Sequence, residues 1–289
     1  MDAASPFDRP LFILSAPRSG STLLFETLQQ APGLVTLGGE SHRLIEGIPQ
    51  LTPVTGMVES NRLGAEHARE KFIRRLHREF WRLLCDRDGM PARPNADGRL
   101  RFLEKTPKNA LRVPFLDAVF PGAQFVWLYR EPRGNLASMI EAWRSGRFVT
   151  YPTLRGWDGP PWSLLLPPGW RELNGQPLEA VCAAQWEAAN RIALDDLEAL
   201  GPGRWTAVDY DALVEGPEAV VDRLCAFAGI ERDPRFDDLL RAGPGLSRST
   251  LTAPDEEKWR RYEAEIEAVL PALDATRERA EAVLARASA

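Results

Sequence analysis

The chain has 289 residues, 44% of them hydrophobic and 27% charged, with a formal net charge of −5. That make-up belongs to a globular chain able to bury a sizeable core, and it argues against bulk electrostatic attraction to nucleic acid. The longest apolar runs are too short to cross a bilayer, and the opening MDAASPFDRP lacks the basic start and apolar core of a secretory signal. Cys85, Cys182 and Cys225 are widely spaced, which suits a reducing compartment, so the expectation is a cytoplasmic protein with no membrane partner. His42, His67 and His77 form no metal-ligand pattern with them, and no metal site is expected.

In chain order, Leu11–Ser15 (LFILS) is a short apolar run bounded by turn residues, and it predicts a buried strand. SAPRSGSTLL at 15–24 follows and leads into a helix over Thr22–Gln30. Residues 61–84 predict an amphipathic helix, with Phe72, Ile73, Leu76, Phe80, Leu83 and Leu84 opposite Arg69, Arg74, Arg75, Arg78 and Arg82. Glu66, Glu70 and Glu79 interleave with those arginines, which reads as a solvated face. Met90–Gly98 is a surface loop. Further strands are expected at Leu100–Leu103, Gln124–Tyr129 and Trp205–Asp209, and helices over Pro107–Phe120, Pro132–Trp143, Leu178–Leu200 and Pro217–Ala228. The alternation predicts an α/β fold: a single P-loop-like domain with a central parallel β-sheet flanked by helices on both faces.

Residues 146–177 have no helical period and are rich in proline, yet they carry Trp157, Trp162 and Trp170. Aromatic residues argue against disorder, so this stretch predicts a lid over an acceptor site whose tryptophans wall a ring-bearing or apolar alcohol. The tail, 254–289, predicts one or two terminal helices broken near Pro271.

The chemistry concentrates in the opening loop. A nucleotide-hydrolysing loop reads Gly-x-x-x-x-Gly-Lys-Ser/Thr. Here Ser15 holds the first glycine position, Gly20 the second, Ser21 replaces the lysine and Thr22 keeps the hydroxyl. A strand–loop–helix turn offers backbone N–H groups and a helix N-terminus to an anion. Ser19, Ser21 and Thr22 add hydroxyl donors. Loss of the lysine weakens the case for ATP or GTP, whereas Arg18 supplies a forked cation for a group with spread negative charge.

The PRSGST loop resembles the 5′-phosphosulfate loop of sulfotransferases that use 3′-phosphoadenosine 5′-phosphosulfate (PAPS). FVWLYREPRGNLASMIEAW at 125–143 resembles that family's 3′-phosphate segment, which places Arg130 and Ser138 at the phosphate. The likeness is nearest to the tyrosylprotein type and its bacterial relatives. LGGESHRLIEGIP (37–49) resembles the segment of the general base, mapping to Glu40, and LEKTPKNAL (103–111) that of the catalytic lysine, mapping to Lys105. VDYDALVEGPEAVVDRLCAFAGI (208–230) resembles the segment that brings a tyrosine near the nucleotide, here Tyr210. LSRSTLTAPDEEKW (246–259) stands where a late loop covers the nucleotide, suggesting Ser247, Arg248, Ser249 and Lys258. The Arg-Lys-Gly triplet of the cytosolic branch is absent, and Ala142 stands where the tyrosylprotein type has a phosphate-binding arginine.

The resemblance implies PAPS as co-substrate, no metal, and sulfuryl transfer to a hydroxyl. The tryptophans of 146–177 favour a small-molecule alcohol or phenol as acceptor, with a peptide, a sugar or a lipid left open, and the expectation of no membrane anchor or signal puts protein tyrosine behind them despite the likeness. Glu40 would take the acceptor proton, with His42 as the competing base. Lys105 would neutralise the leaving oxygen, with Lys108 behind it, and Arg18 would face the sulfuryl oxygens. Two other readings stand beside it: a P-loop kinase or NTPase, which would bind ATP or GTP with magnesium, and a nucleotide-binding protein without turnover.

Overall fold

The structure is a computed structural model and describes residues 5–243, 245, 247–251 and 257–287. Its strands are β1 (Leu11–Ser15), β2 (Val35–Thr36), β3 (Phe102–Lys105), β4 (Gln124–Tyr129), β5 (Val149–Tyr151), β6 (Trp162–Ser163) and β7 (Trp205–Asp209). Five of them form one parallel sheet in the order β2-β3-β1-β4-β7, and β5 pairs with β6 as a separate antiparallel hairpin. Within β1 successive side chains alternate between faces. Phe12 and Leu14 enter one core, Leu11 and Ile13 the other. A strand buried on both sides needs apolar residues at every position, and LFILS supplies nearly that.

The helices are α1 (Ser21–Leu28), α2 (His42–Glu46), α3 (Glu70–Leu83), α4 (Val113–Val119), α5 (Pro132–Ser145), α6 (Leu178–Glu198), α7 (Tyr210–Glu215), α8 (Pro217–Ala228), α9 (Pro234–Ala242), α10 (Glu263–Val269) and α11 (Asp274–Ala287). Leu24, Phe25, Val220, Leu224 and Phe236 cover one face of the sheet from α1, α8 and α9. The opposite face is covered by Leu76, Leu116, Met139, Trp186 and Val283 from α3, α4, α5, α6 and α11. The α/β architecture with helices on both faces is therefore as expected from the sequence.

Several boundaries differ from expectation, each for a physical reason. The helix expected over 61–84 begins only at Glu70, because Asn61 and Leu63 spend their N–H groups on Leu166 O (2.9 Å) and Leu111 O (3.2 Å). The strand expected at Leu100–Leu103 lies two residues later, which makes Lys105 its last residue. Pro107–Phe120 is split into a 3-10 turn (Pro107–Leu111) and α4, because the Arg112 backbone between them is not helical (φ −132°) and its side chain is fully buried. The tail has its break where expected, a 3-10 turn at Leu270–Leu273 between α10 and α11. Within 146–177, Trp162 and Trp170 are fully buried, and Trp162 packs edge-on against Trp143, Trp157 and Trp170 at ring separations of 4.8–6.0 Å. These tryptophans build core instead of acceptor walls, a correction to the sequence reading. No described helix is long and apolar enough to cross a membrane.

Candidate active site

The strand order reverses about β1, and open parallel sheets leave a crevice beyond the carboxyl ends of strands at such a point. β1 ends there and turns through Ala16–Gly20 into α1. The turn is tight: Arg18 (φ +68°) and Gly20 (φ +89°) both lie in the left-handed region. For arginine this is an uncommon conformation that surrounding bonds must hold. They are present. Asn135 Nδ2 donates to Pro17 O (2.9 Å), and the Arg130 guanidinium donates to Arg18 O (3.1 Å). The absent side chain of Gly20 has a use as well, since a Cβ there would lie 2.5 Å from ring atoms of Tyr210. Above that ring sits Arg130, 4.2 Å from its centroid. The start of α5 and the start of α7 are thereby joined to the opening loop.

Arg18 donates to Ser249 O (2.9 Å), lies 4.6 Å from the Phe148 ring centroid, and keeps a buried Nε without a partner. Burial and then the neighbouring Arg130 push its guanidinium below the ordinary value, with Glu141 opposing. Two crowded cations beside a helix N-terminus favour an anion.

The second half of the site is built on β3. Glu104 on this strand is fully buried and accepts from Ser41 N (3.0 Å), Thr106 Oγ1 (2.6 Å) and Asn109 Nδ2 (2.6 Å). Burial pushes its carboxyl up. Its bond to Ser41 fixes the residue next to Glu40, and Glu40 Oε1 then meets Lys105 Nζ at 2.8 Å. Glu40 Oε2 lies 3.3 Å from His42 Nδ1. Burial pushes the Glu40 carboxyl up, but His42 and the Lys105 ammonium together outweigh it and hold it at about 2.

Both halves line one cavity of about 1210 Å³. Arg18, Gly20, Ser21, Thr22, Arg130, Ser138 and Tyr210 reach it from the loop side, and Glu40, His42, Lys105 and Lys108 from the β3 side. Ser247, Ser249 and Lys258 line it from the C-terminal part, with Lys258 also paired to Glu141. Residues 246 and 252–256 of the expected late loop lie outside the described residues. Phe148, Val149, Thr150, Tyr151, Leu164 and Leu165 form the wall contributed by 146–177.

Two expected ligand side chains are not on this cavity. The Ser19 hydroxyl is buried and donates to Asn135 Oδ1 (3.1 Å), because the turn directs it into the protein. Arg248 extends away to Glu26 (3.1 Å) and Gly38 O (3.1 Å), where a carboxylate and a carbonyl take its charge. The sequence reading also passed over Glu46 and Tyr151. Glu46 stands in the quoted 37–49 segment and Tyr151 in the proline-rich stretch, but neither belongs to a local pattern that announces a role.

The strand–turn–helix loop of Arg18 and Gly20 and the Glu40–Lys105 pair thus face one hollow at the carboxyl edge of a parallel sheet. The chain belongs to the sulfotransferase family, whose pattern it matches over residues 10–234. It is 28% identical over 233 residues to Protein-tyrosine sulfotransferase A of Caenorhabditis elegans, an alignment covering 80% of this chain and 52% of the relative. The chain thus spans about half the length of that curated relative. Among solved structures, the sulfotransferase from Alicyclobacillus acidocaldarius is similar in fold, with a TM-score of 0.52, 17% identity and 96% of each chain covered. The sulfotransferase domain of the Synechococcus PCC 7002 olefin synthase matches at a TM-score of 0.49 with 22% identity, over 90% of each chain.

Proposed function

We propose that the chain is an enzyme that moves a sulfuryl group from PAPS to the hydroxyl of a small apolar alcohol or phenol. The observation that carries this reading is the Glu40–Lys105 pair, 2.8 Å apart, on the same cavity as the loop that holds Arg18, Gly20, Ser21 and Thr22. The residues present fit such a donor. A helix N-terminus and the Arg18 guanidinium with its unpartnered Nε suit a sulfuryl-phosphate, while Arg130, Ser138 and Lys258 suit a second phosphate.

In this reading Glu40 takes the acceptor proton as the acceptor oxygen bonds to sulfur. The old bond from sulfur to the bridging oxygen breaks, and Lys105 neutralises that oxygen. A positioned base contributes on the order of 10²–10⁴-fold. A carboxyl held at about 2 is ionised at any working pH but is a weak base. Moving Lys105 from Glu40 toward the leaving oxygen strengthens the base at the moment it is needed. Phe148, Val149, Leu164 and Leu165 offer an apolar wall for the acceptor.

Calorimetric titration with adenosine 3′,5′-bisphosphate, ATP and GTP tests the donor. Binding of the bisphosphate without magnesium is expected; tighter binding of ATP or GTP with magnesium would replace this reading with a kinase or NTPase. Mass-spectrometric screening of phenols, alcohols and tyrosine peptides with PAPS then identifies the acceptor by an added sulfate. Donor binding with no transfer to any class would favour a nucleotide-binding protein without turnover.

A further inference from the structure

Beside the Glu40–Lys105 pair lies a second buried charged cluster with no assigned role. Glu46 closes α2, six residues after Glu40. Its carboxylate accepts from Lys108 Nζ (2.9 and 3.0 Å), Arg112 Nη2 (2.8 Å) and Tyr151 Oη (3.1 Å). The Tyr151 hydroxyl in turn accepts from Asn61 Nδ2 (2.6 Å) and Lys108 (3.0 Å). Asn61 then grips the other end of the hairpin: its Oδ1 accepts from Leu166 N (2.7 Å), and its N–H donates to Leu166 O (2.9 Å). Asn61, Lys108, Arg112 and Tyr151 are all buried.

The connectivity carries the argument. Tyr151 belongs to β5 and Leu166 follows β6, so the cluster holds the acceptor wall at both ends of the hairpin. Glu46 belongs to the short helix that follows the base, and Lys108 to the turn that follows Lys105. A buried carboxylate shared by two cations has no cheap alternative partner, because breaking such a network leaves charge uncompensated in a low dielectric. Displacing the hairpin alone would break the Tyr151 hydroxyl's bonds to Glu46, Lys108 and Asn61 and strand buried polar groups of that network.

We infer that the Glu46–Lys108–Tyr151–Asn61 cluster clasps the acceptor wall to the base segment so that the two move as one body, which makes Glu46 and Tyr151 positioning residues for the acceptor half of the site. The role assigned to that half rests on the function proposed above. An acceptor that presses on Val149, Leu164 or Leu165 then also sets the position of Glu40, and occupancy of the wall is communicated to the base without contact between them.

Hydrogen–deuterium exchange on the full chain tests the clasp. In Tyr151→Phe, exchange in 149–165 and in 40–47 is expected to accelerate together by about tenfold, the scale of losing one hydrogen bond to a charged group, while 11–28 and 132–145 stay as in wild type. Faster exchange in the hairpin alone, or in neither segment, overturns the inference. Glu46→Gln, which keeps the shape of the side chain, gives the same reading if the first variant fails to fold. With 2-naphthol as acceptor probe, Tyr151→Phe is expected to raise the acceptor KM about tenfold and leave the PAPS KM within about twofold, by the same estimate; equal loss on both substrates also overturns it. Failure of wild type to transfer sulfate would end the functional reading, and the exchange pattern would still decide the clasp.

Discussion

Replacing Gly20 by alanine tests the proposed donor half of the site at one atom. The backbone there has φ +89°, and an added Cβ would lie 2.5 Å from Cδ2 and Cε2 of Tyr210. An L-residue in the left-handed region costs about 1–2 kcal/mol, which appears as lost stability. The second effect concerns binding. To clear the methyl, the Tyr210 ring must move, and it underlies Arg130 at 4.2 Å, whose Nη1 holds Arg18 O at 3.1 Å. A cation–π contact is worth about 0.5–2 kcal/mol, and a hydrogen bond from a charged group about 1.5–3 kcal/mol. At the low end of their sum, about 2 kcal/mol, affinity for adenosine 3′,5′-bisphosphate falls about 30-fold by calorimetry. Gly33→Ala is the control: its φ is +76° and nothing lies within 4 Å of the new Cβ, so it should lower stability and leave affinity unchanged. If Gly20→Ala binds the bisphosphate within about threefold of wild type, the assignment of this stack to donor binding is wrong.

Lys105→Met should lower kcat by about 10²-fold with donor affinity little changed, as read from single-turnover and equilibrium measurements; the reverse split would make Lys105 an anchor. The same variant should release Glu40 upward from about 2, visible by infrared titration of its carboxyl. Because the folded value lies below the ordinary 4.5, the Glu40 contribution to stability is complete above that pH and fades as pH falls toward 2, so the wild-type advantage in urea midpoint should shrink over that window. Lys108 acts in the same sense at higher pH. Burial chiefly, opposed by Glu46, brings it from 10.5 down to about 8, so the unfolded chain holds the extra proton between those values and stability rises with pH there, a rise that Lys108→Met should abolish in denaturant titrations. Ser19→Ala strands Asn135 Oδ1 in a buried site and should cost about 1–3 kcal/mol of stability with little effect on bisphosphate binding; a loss confined to binding would restore Ser19 as a ligand.

What the sequence disclosed followed from short-range patterns. LFILS and FVWLY read as strands because burial on both faces leaves no polar position to confuse the period, and the structure puts β1 and β4 at the expected residues. The turns after them, carrying Arg18 and Arg130, reach one cavity. The side-chain directions of Ser19 and Arg248 were not legible, because a left-handed turn at Arg18 and a distant carboxylate on Glu26 decide them. The tryptophans of 146–177 misled for a related reason: an aromatic ring serves a core as readily as a binding wall, and only the fold chooses. The Glu46 cluster was invisible because three of its members, Lys108, Arg112 and Tyr151, are 62, 66 and 105 residues from Glu46 in sequence.

The stacking of Tyr210 on the bare backbone of Gly20 has a consequence for biosynthesis. The first strand and its turn leave the ribosome early, yet the ring that seats against them lies 190 residues downstream, beyond the edge strand β7. A nascent chain halted before that point carries the loop of Arg18 and Gly20 without the ring that seats against it. If the loop binds the donor proposed above, competence to hold it should therefore arise late and abruptly during synthesis, once Tyr210 is made.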